Sequence, residues 1–96
     1  MERQIELNNM LYMFMRSACK MYSEMIGLRR SLDNDVMSEA PQDFKEMIQV
    51  NYNEAKTLCE FYINALSKRL EVNKDDIREV IENQYTLPPS VFWIAA

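Results

Sequence analysis

From Leu7 to Leu32 the apolar residues fall at alternating steps of four and three: Leu7, Leu11, Phe14, Ala18, Met21, Met25, Leu28 and Leu32. That spacing keeps one stripe on one side of a helix and predicts a long first helix over residues 3–32, packed at a shallow angle on a partner. Met15, Tyr22 and Ile26 widen one flank of the stripe, which suits a bundle face better than a bare two-stranded zipper. Gly27 interrupts the pattern late, and the acidic, turn-rich LDNDVMSEAPQD predicts a connection over residues 33–41, with Pro41 placed for the first turn of the next helix.

The same periodicity resumes as a second helix over residues 42–70. Phe44, Met47, Ile48, Ala55, Leu58, Cys59, Tyr62, Ala65 and Leu66 form its central stripe. Val50 and Phe61 widen one flank, and Tyr52, Ile63 and Leu70 the other. An arc this wide needs cover on two sides. The first helix supplies one; the third helix, the C-terminal tail or a second copy of the chain must supply the other. A short third helix is expected over residues 74–85. Asn73 suits its N-cap, Asp75 and Asp76 suit the positive end of its dipole, and Val72 and Ile77 occupy the two positions of a hydrophobic staple. Ile77, Val80 and Ile81 would face inward, and TLPPSVFWIAA ends the helix and leaves an apolar tail over residues 86–96. The expected fold is all-α, a single helical domain over residues 1–96: a small helical bundle of two long antiparallel helices plus a short third helix and an apolar C-terminal tail.

Composition narrows this picture. One glycine and three prolines are too few turn residues for a multi-stranded sheet. A chain of 96 residues supports one modest core. MERQIELNN lacks the apolar segment of a secretory signal, and VFWIAA falls far short of the roughly 20 residues that span a bilayer, so a cytoplasmic protein with no membrane partner is expected. Cys19 and Cys59 lack CxxC spacing, and without histidine they form no ordinary zinc site; buried free thiols are the expectation. With no histidine and no glycine-rich phosphate loop, nothing pairs a nucleophile with an activating base. Asp33 and Asp35 supply only part of a calcium loop. Neither enzyme activity nor any cofactor is expected.

The segment ALSKRLEVNKDDIREVI, residues 65–81, resembles the helix-turn-helix of phage-repressor-type regulators, with Ser67, Leu70 and Val72 around the turn and Ile77 and Val80 in the following helix. The resemblance implies a transcriptional regulator. Three features depart from it. Glu71 stands where the turn normally carries glycine, so a left-handed backbone there would be costly. The preceding helix is long rather than a short scaffold. The would-be reading helix carries Asp75, Asp76, Glu79 and Glu82 against Lys74 and Arg78, and carboxylates repel DNA phosphates. Nucleic acid is therefore not the expected partner.

Two features exceed what a three-helix domain requires, the methionine-rich first helix with its outlying residues and the tail. Ile5, Tyr12 and Met13 lie off the first helix's stripe and are read as a dimer or partner surface. Val91, Phe92, Trp93 and Ile94 give the tail four large apolar residues in succession, which either close the core or anchor a partner. The terminal Ile94-Ala95-Ala96 is similar to bacterial degradation tags ending in two alanines. Asp75, Asp76, Glu79 and Glu82 form an acidic face suited to a basic protein surface. The expected function is non-catalytic protein binding, as a small acidic inhibitor or adaptor of phage or mobile-element type that assembles as a homodimer. A helix-turn-helix regulator and a structural or chaperone-like module are the alternatives.

Overall fold

In a computed structural model, which describes residues 1–95, the chain runs through strand β1 (Glu2–Glu6), helix α1 (Asn9–Leu32), a 3-10 turn (Asp35–Glu39), helices α2 (Gln42–Leu70) and α3 (Lys74–Gln84), and strand β2 (Val91–Ala95). The fold is a mostly-α bundle in which the two long helices pack together. Ala18 meets Cys59 and Phe14 meets Tyr62, while Leu28 and Asn51 share a groove farther along, so α1 and α2 run antiparallel.

The helix ends follow the local chemistry. The Asn8 side chain accepts the Leu11 N–H at 2.9 Å, and the Asn73 side chain accepts the Asp75 N–H at 2.8 Å, each satisfying a first-turn donor that the helix leaves free. Val72 and Ile77, the two halves of the staple, are both buried in the core. Between α2 and α3 the chain reverses at Glu71, whose φ of 56° is left-handed. Ser67 holds that turn from both sides. Its carbonyl accepts the Val72 N–H at 3.2 Å, and its hydroxyl donates to the Val72 carbonyl at 2.6 Å. The costly conformation expected for a helix-turn-helix at Glu71 is thus adopted, with Ser67 fastening it.

Both ends of the chain differ from the expected arrangement. Residues 2–6 are a strand, and α1 begins at Asn9 rather than near residue 3. The tail is the second strand, paired antiparallel with the first so that Ile5 stands opposite Phe92 and Gln4 opposite Trp93. The reason lies in Ile5. A helix would have pointed it away from the Leu7–Leu32 stripe, whereas strand alternation turns Ile5 and Phe92 to one face, where both are buried. The sheet closes the end of the bundle at which α3 also packs.

The core is confined to that end. Leu11, Met15, Ala18 and Cys19 of α1 meet Cys59, Ile63 and Leu66 of α2, with Ile77, Val80 and Ile81 of α3 and Phe92 of the sheet closing over them. Phe14 packs against Tyr62 with ring centroids 5.9 Å apart, and the Arg69 guanidinium lies 5.8 Å from the Phe14 centroid. Beyond Cys59 toward the Asp35–Glu39 turn, α1 and α2 continue as a bare hairpin arm whose only buried residues are Ile48 and Ala55. The molecule is correspondingly long, 50 × 21 × 19 Å.

Candidate functional site

The four acidic residues of α3 do not act as one face. Asp75 accepts a hydrogen bond from the Arg78 guanidinium at 2.8 Å, and the same guanidinium reaches Glu60 of α2 at 2.9 and 3.1 Å. Arg78 thereby ties α3 to α2, and the hydrogen bond it donates to Glu60 holds its pKa above the ordinary value. Glu82 lies on the same side. Its charge, after burial itself, helps to push up the phenol of Tyr22, which packs edge-on against Tyr85 at 5.1 Å. Asp75 therefore stands in an ion-pair network with Arg78 and Glu60, and Glu82 acts on Arg78 and Tyr22 through its charge alone.

Asp76 and Glu79 face the other way, toward the sheet. A small cleft of about 260 Å³ runs between α3 and β2, lined by Asp76, Glu79, Asn83 and Gln84 on one side and Trp93 and Ile94 on the other. Strand alternation sets what β2 presents there. Phe92 is buried, while Trp93 is 56% exposed. Gln4 is directly across from Trp93, and Glu2 and Glu6 pair with Ala95 and Val91, so they share the outer face of the sheet and flank the indole diagonally. An exposed indole thus has carboxylates on both sides, from α3 and from β1. Asp76, Glu79, Glu2 and Glu6 are absent from the ion pairs of the described residues. An indole face attracts a cation, and neighbouring carboxylates add to that attraction. The arrangement suits the side chain of an arginine or lysine.

The remaining expected site residues are dispersed. Ile5 and Phe92 are core residues, so neither is available to a partner; pairing opposite one another in the sheet is what buries them. Tyr12 is half-buried, and Met13, 63% exposed, sits beside Arg16, Lys20 and Tyr85 at a wide, shallow depression on the outer side of α1. Val91 is exposed and Ile94 half-buried. Ala96 of the tag-like Ile94-Ala95-Ala96 lies outside the described residues. Burial pushes both thiols, Cys19 and Cys59, up to about 11, and the Cys59 Sγ lies 3.6 Å from the Ala18 carbonyl, so at neutral pH both are protonated core groups. Among the described residues no helix is long and apolar enough to cross a membrane.

A second surface emerges on the hairpin arm. Phe44, Met47, Val50 and Leu58 of α2 all remain exposed there. Next to them a groove between the helices is lined by Met21, Gly27 and Leu28 of α1 and by Asn51, Glu54 and Leu58 of α2. The width of the apolar arc of the second helix was the signal for such a surface. Which part stays uncovered depends on how far α3 reaches, and periodicity does not carry that. No protein-family model, curated protein or solved structure matches the chain.

Proposed function

We propose that this chain is a non-catalytic protein-binding module, a small acidic adaptor or inhibitor of the kind phages and other mobile elements encode. It acts in the cytoplasm by engaging a basic segment of a partner protein, and as a homodimer it presents two such sites. One observation carries the reading: Trp93 of β2 and Asp76 and Glu79 of α3, remote in sequence, line a single cleft. A guanidinium laid on the exposed indole would meet carboxylates at its edges, an arrangement worth about 0.5–2 kcal/mol for the aromatic contact and more with the charges included. Ordinary acidic surface lacks the aromatic platform.

Trp93 is the only tryptophan, so its emission reports on the cleft directly. Titration with hexa-arginine should shift that emission, more weakly with hexa-lysine and not at all with hexa-glutamate, and the affinity should fall steeply with added salt. The Asp76→Asn, Glu79→Gln double variant should bind hexa-arginine at least about tenfold more weakly while keeping its helical circular dichroism. Equal binding by wild type and double variant, or an emission unmoved by millimolar peptide, would refute the assignment. The left-handed, Ser67-held turn at Glu71 between α2 and α3 is the observation favouring a DNA-binding alternative. Salt-sensitive retardation of random duplex by the full chain, lost on charge reversal of Lys74, would support that alternative instead.

A further inference from the structure

We infer that the hairpin arm is closed by a second copy of the chain, the two arms packing antiparallel about a two-fold axis that crosses near Gly27 and Asn51. The surface area argues for it first. A compact monomer of 11.4 kDa is expected to expose roughly 5,800 Å², and this chain exposes 6666 Å². The excess, roughly 900 Å², is close to the ~800 Å² that each partner buries in a standard stable interface. The shape agrees, with a radius of gyration of 15.6 Å where about 12.5 Å is expected for this length. Along the arm, Phe44, Met47, Val50 and Leu58 leave apolar surface uncovered.

Gly27 indicates what kind of surface approaches. It is the only glycine of the chain, it is in the body of α1, and its φ is not positive, so the backbone does not require it. A Cβ built there would meet nothing within 4 Å, so packing inside one chain does not require it either. Glycine weakens a helix interior relative to alanine, and its remaining structural use is close approach by another backbone. Gly27 lines the groove between the two helices, where a second helix would cross.

The uncovered face of the arm is apolar, and a two-fold axis at Gly27 sets it against its own copy, so that one contact covers both arms.

Sedimentation equilibrium of the full chain from about 1 to about 500 µM tests the inference. The mass should approach twice 11.4 kDa as concentration rises. Leu58→Glu, a change at a position exposed in the single chain, should weaken association by roughly 30-fold or more with helical circular dichroism and hexa-arginine binding at Trp93 unchanged. Gly27→Leu, which strengthens the helix, should also weaken association by blocking the close approach. A mass near 11.4 kDa at every concentration would leave the face to a foreign partner and overturn the inference, as would a dimer that both variants leave intact.

Discussion

The two halves of the α1–α2 hairpin share one spacing of apolar residues and end in different surroundings. In the half that carries the chain ends, the seam of Leu11, Met15, Ala18 and Cys19 against Cys59, Ile63 and Leu66 is covered by α3 and by the two-stranded sheet. In the arm, Met25, Leu28 and Leu32 continue the same steps along α1, yet none of them is fully buried, and α2 contributes only Ile48 and Ala55 to the interior. The amphipathic pattern decides which side of a helix turns inward. How much of that side leaves water depends on how many neighbours reach it, and α3 with its 11 residues reaches only one half. The closed half accordingly holds the stability of a single chain, and the arm holds apolar surface in reserve for contact.

Truncation of buried apolar side chains is the strongest way to break that contrast. Leu66 and Ile77 are fully buried in the closed half, so Leu66→Ala or Ile77→Ala should cost about 2–5 kcal/mol through lost transfer energy and the cavity left behind. Phe44→Ala and Leu58→Ala, at positions 44% and 46% exposed, should cost under about 1 kcal/mol at concentrations where the chain is monomeric. Urea unfolding monitored at low protein concentration measures both. Similar losses at Leu66 and Leu58 would mean that the arm belongs to the same packed unit, and the division of the hairpin would fall.

A smaller effect separates the halves by pH. Burial raises the thiols of Cys19 and Cys59 to about 11 from an ordinary value of 9.0, helped at Cys19 by the charge of Cys59 and at Cys59 by that of Glu60. The unfolded chain ionises these thiols first. Their stabilising contribution is therefore complete below pH 9.0 and is lost as pH rises through about 11. The loss should be on the order of 2–3 kcal/mol for each thiol. It should shrink in the Cys19→Ala, Cys59→Ala variant, which lacks both buried thiols. Ile48 and Ala55, the buried residues of the arm, carry no ionisable group, so this lever acts on the closed half alone. Parallel alkaline stability profiles for the variant and the wild type would contradict the assignment.

The same contrast explains what could be read from the residues alone. The spans of α2 and α3, the Asn73 cap and the Val72–Ile77 staple depend on neighbours a few positions away, and they are present as the spacing implies, whereas α1 begins at Asn9 and not near residue 3. The sheet depends on two short segments from opposite ends of the chain. ERQIE has a single apolar residue, so its alternation is hard to distinguish from a polar helix start. The candidate site inherits that limit. Trp93 and Phe92 look equivalent in sequence until strand pairing turns one out and the other in. The acidic residues of α3 were legible as a group. Their division between the Trp93 cleft and the Arg78 network was not, because it rests on Glu60 in another helix.

The smallest predicted effect concerns the turn through which α3 covers the closed half. Glu71 holds a left-handed backbone that favours glycine, with φ 56°, and its side chain is exposed. Ser67 bonds across the turn through both its carbonyl and its hydroxyl, so the conformation is imposed by the helix end and not by the glutamate itself. Glu71→Gly should therefore relieve strain and raise stability by about 0.5–1 kcal/mol, even though glycine gives the unfolded chain more freedom. Glu71→Ala, which removes the carboxylate and keeps the Cβ, should give little of that gain. A stabilisation by alanine equal to that by glycine would show that the acidic surroundings of the turn, and not its backbone, limit how firmly α3 closes the core. The thermal midpoints of the two variants, compared at low and high salt, distinguish these causes.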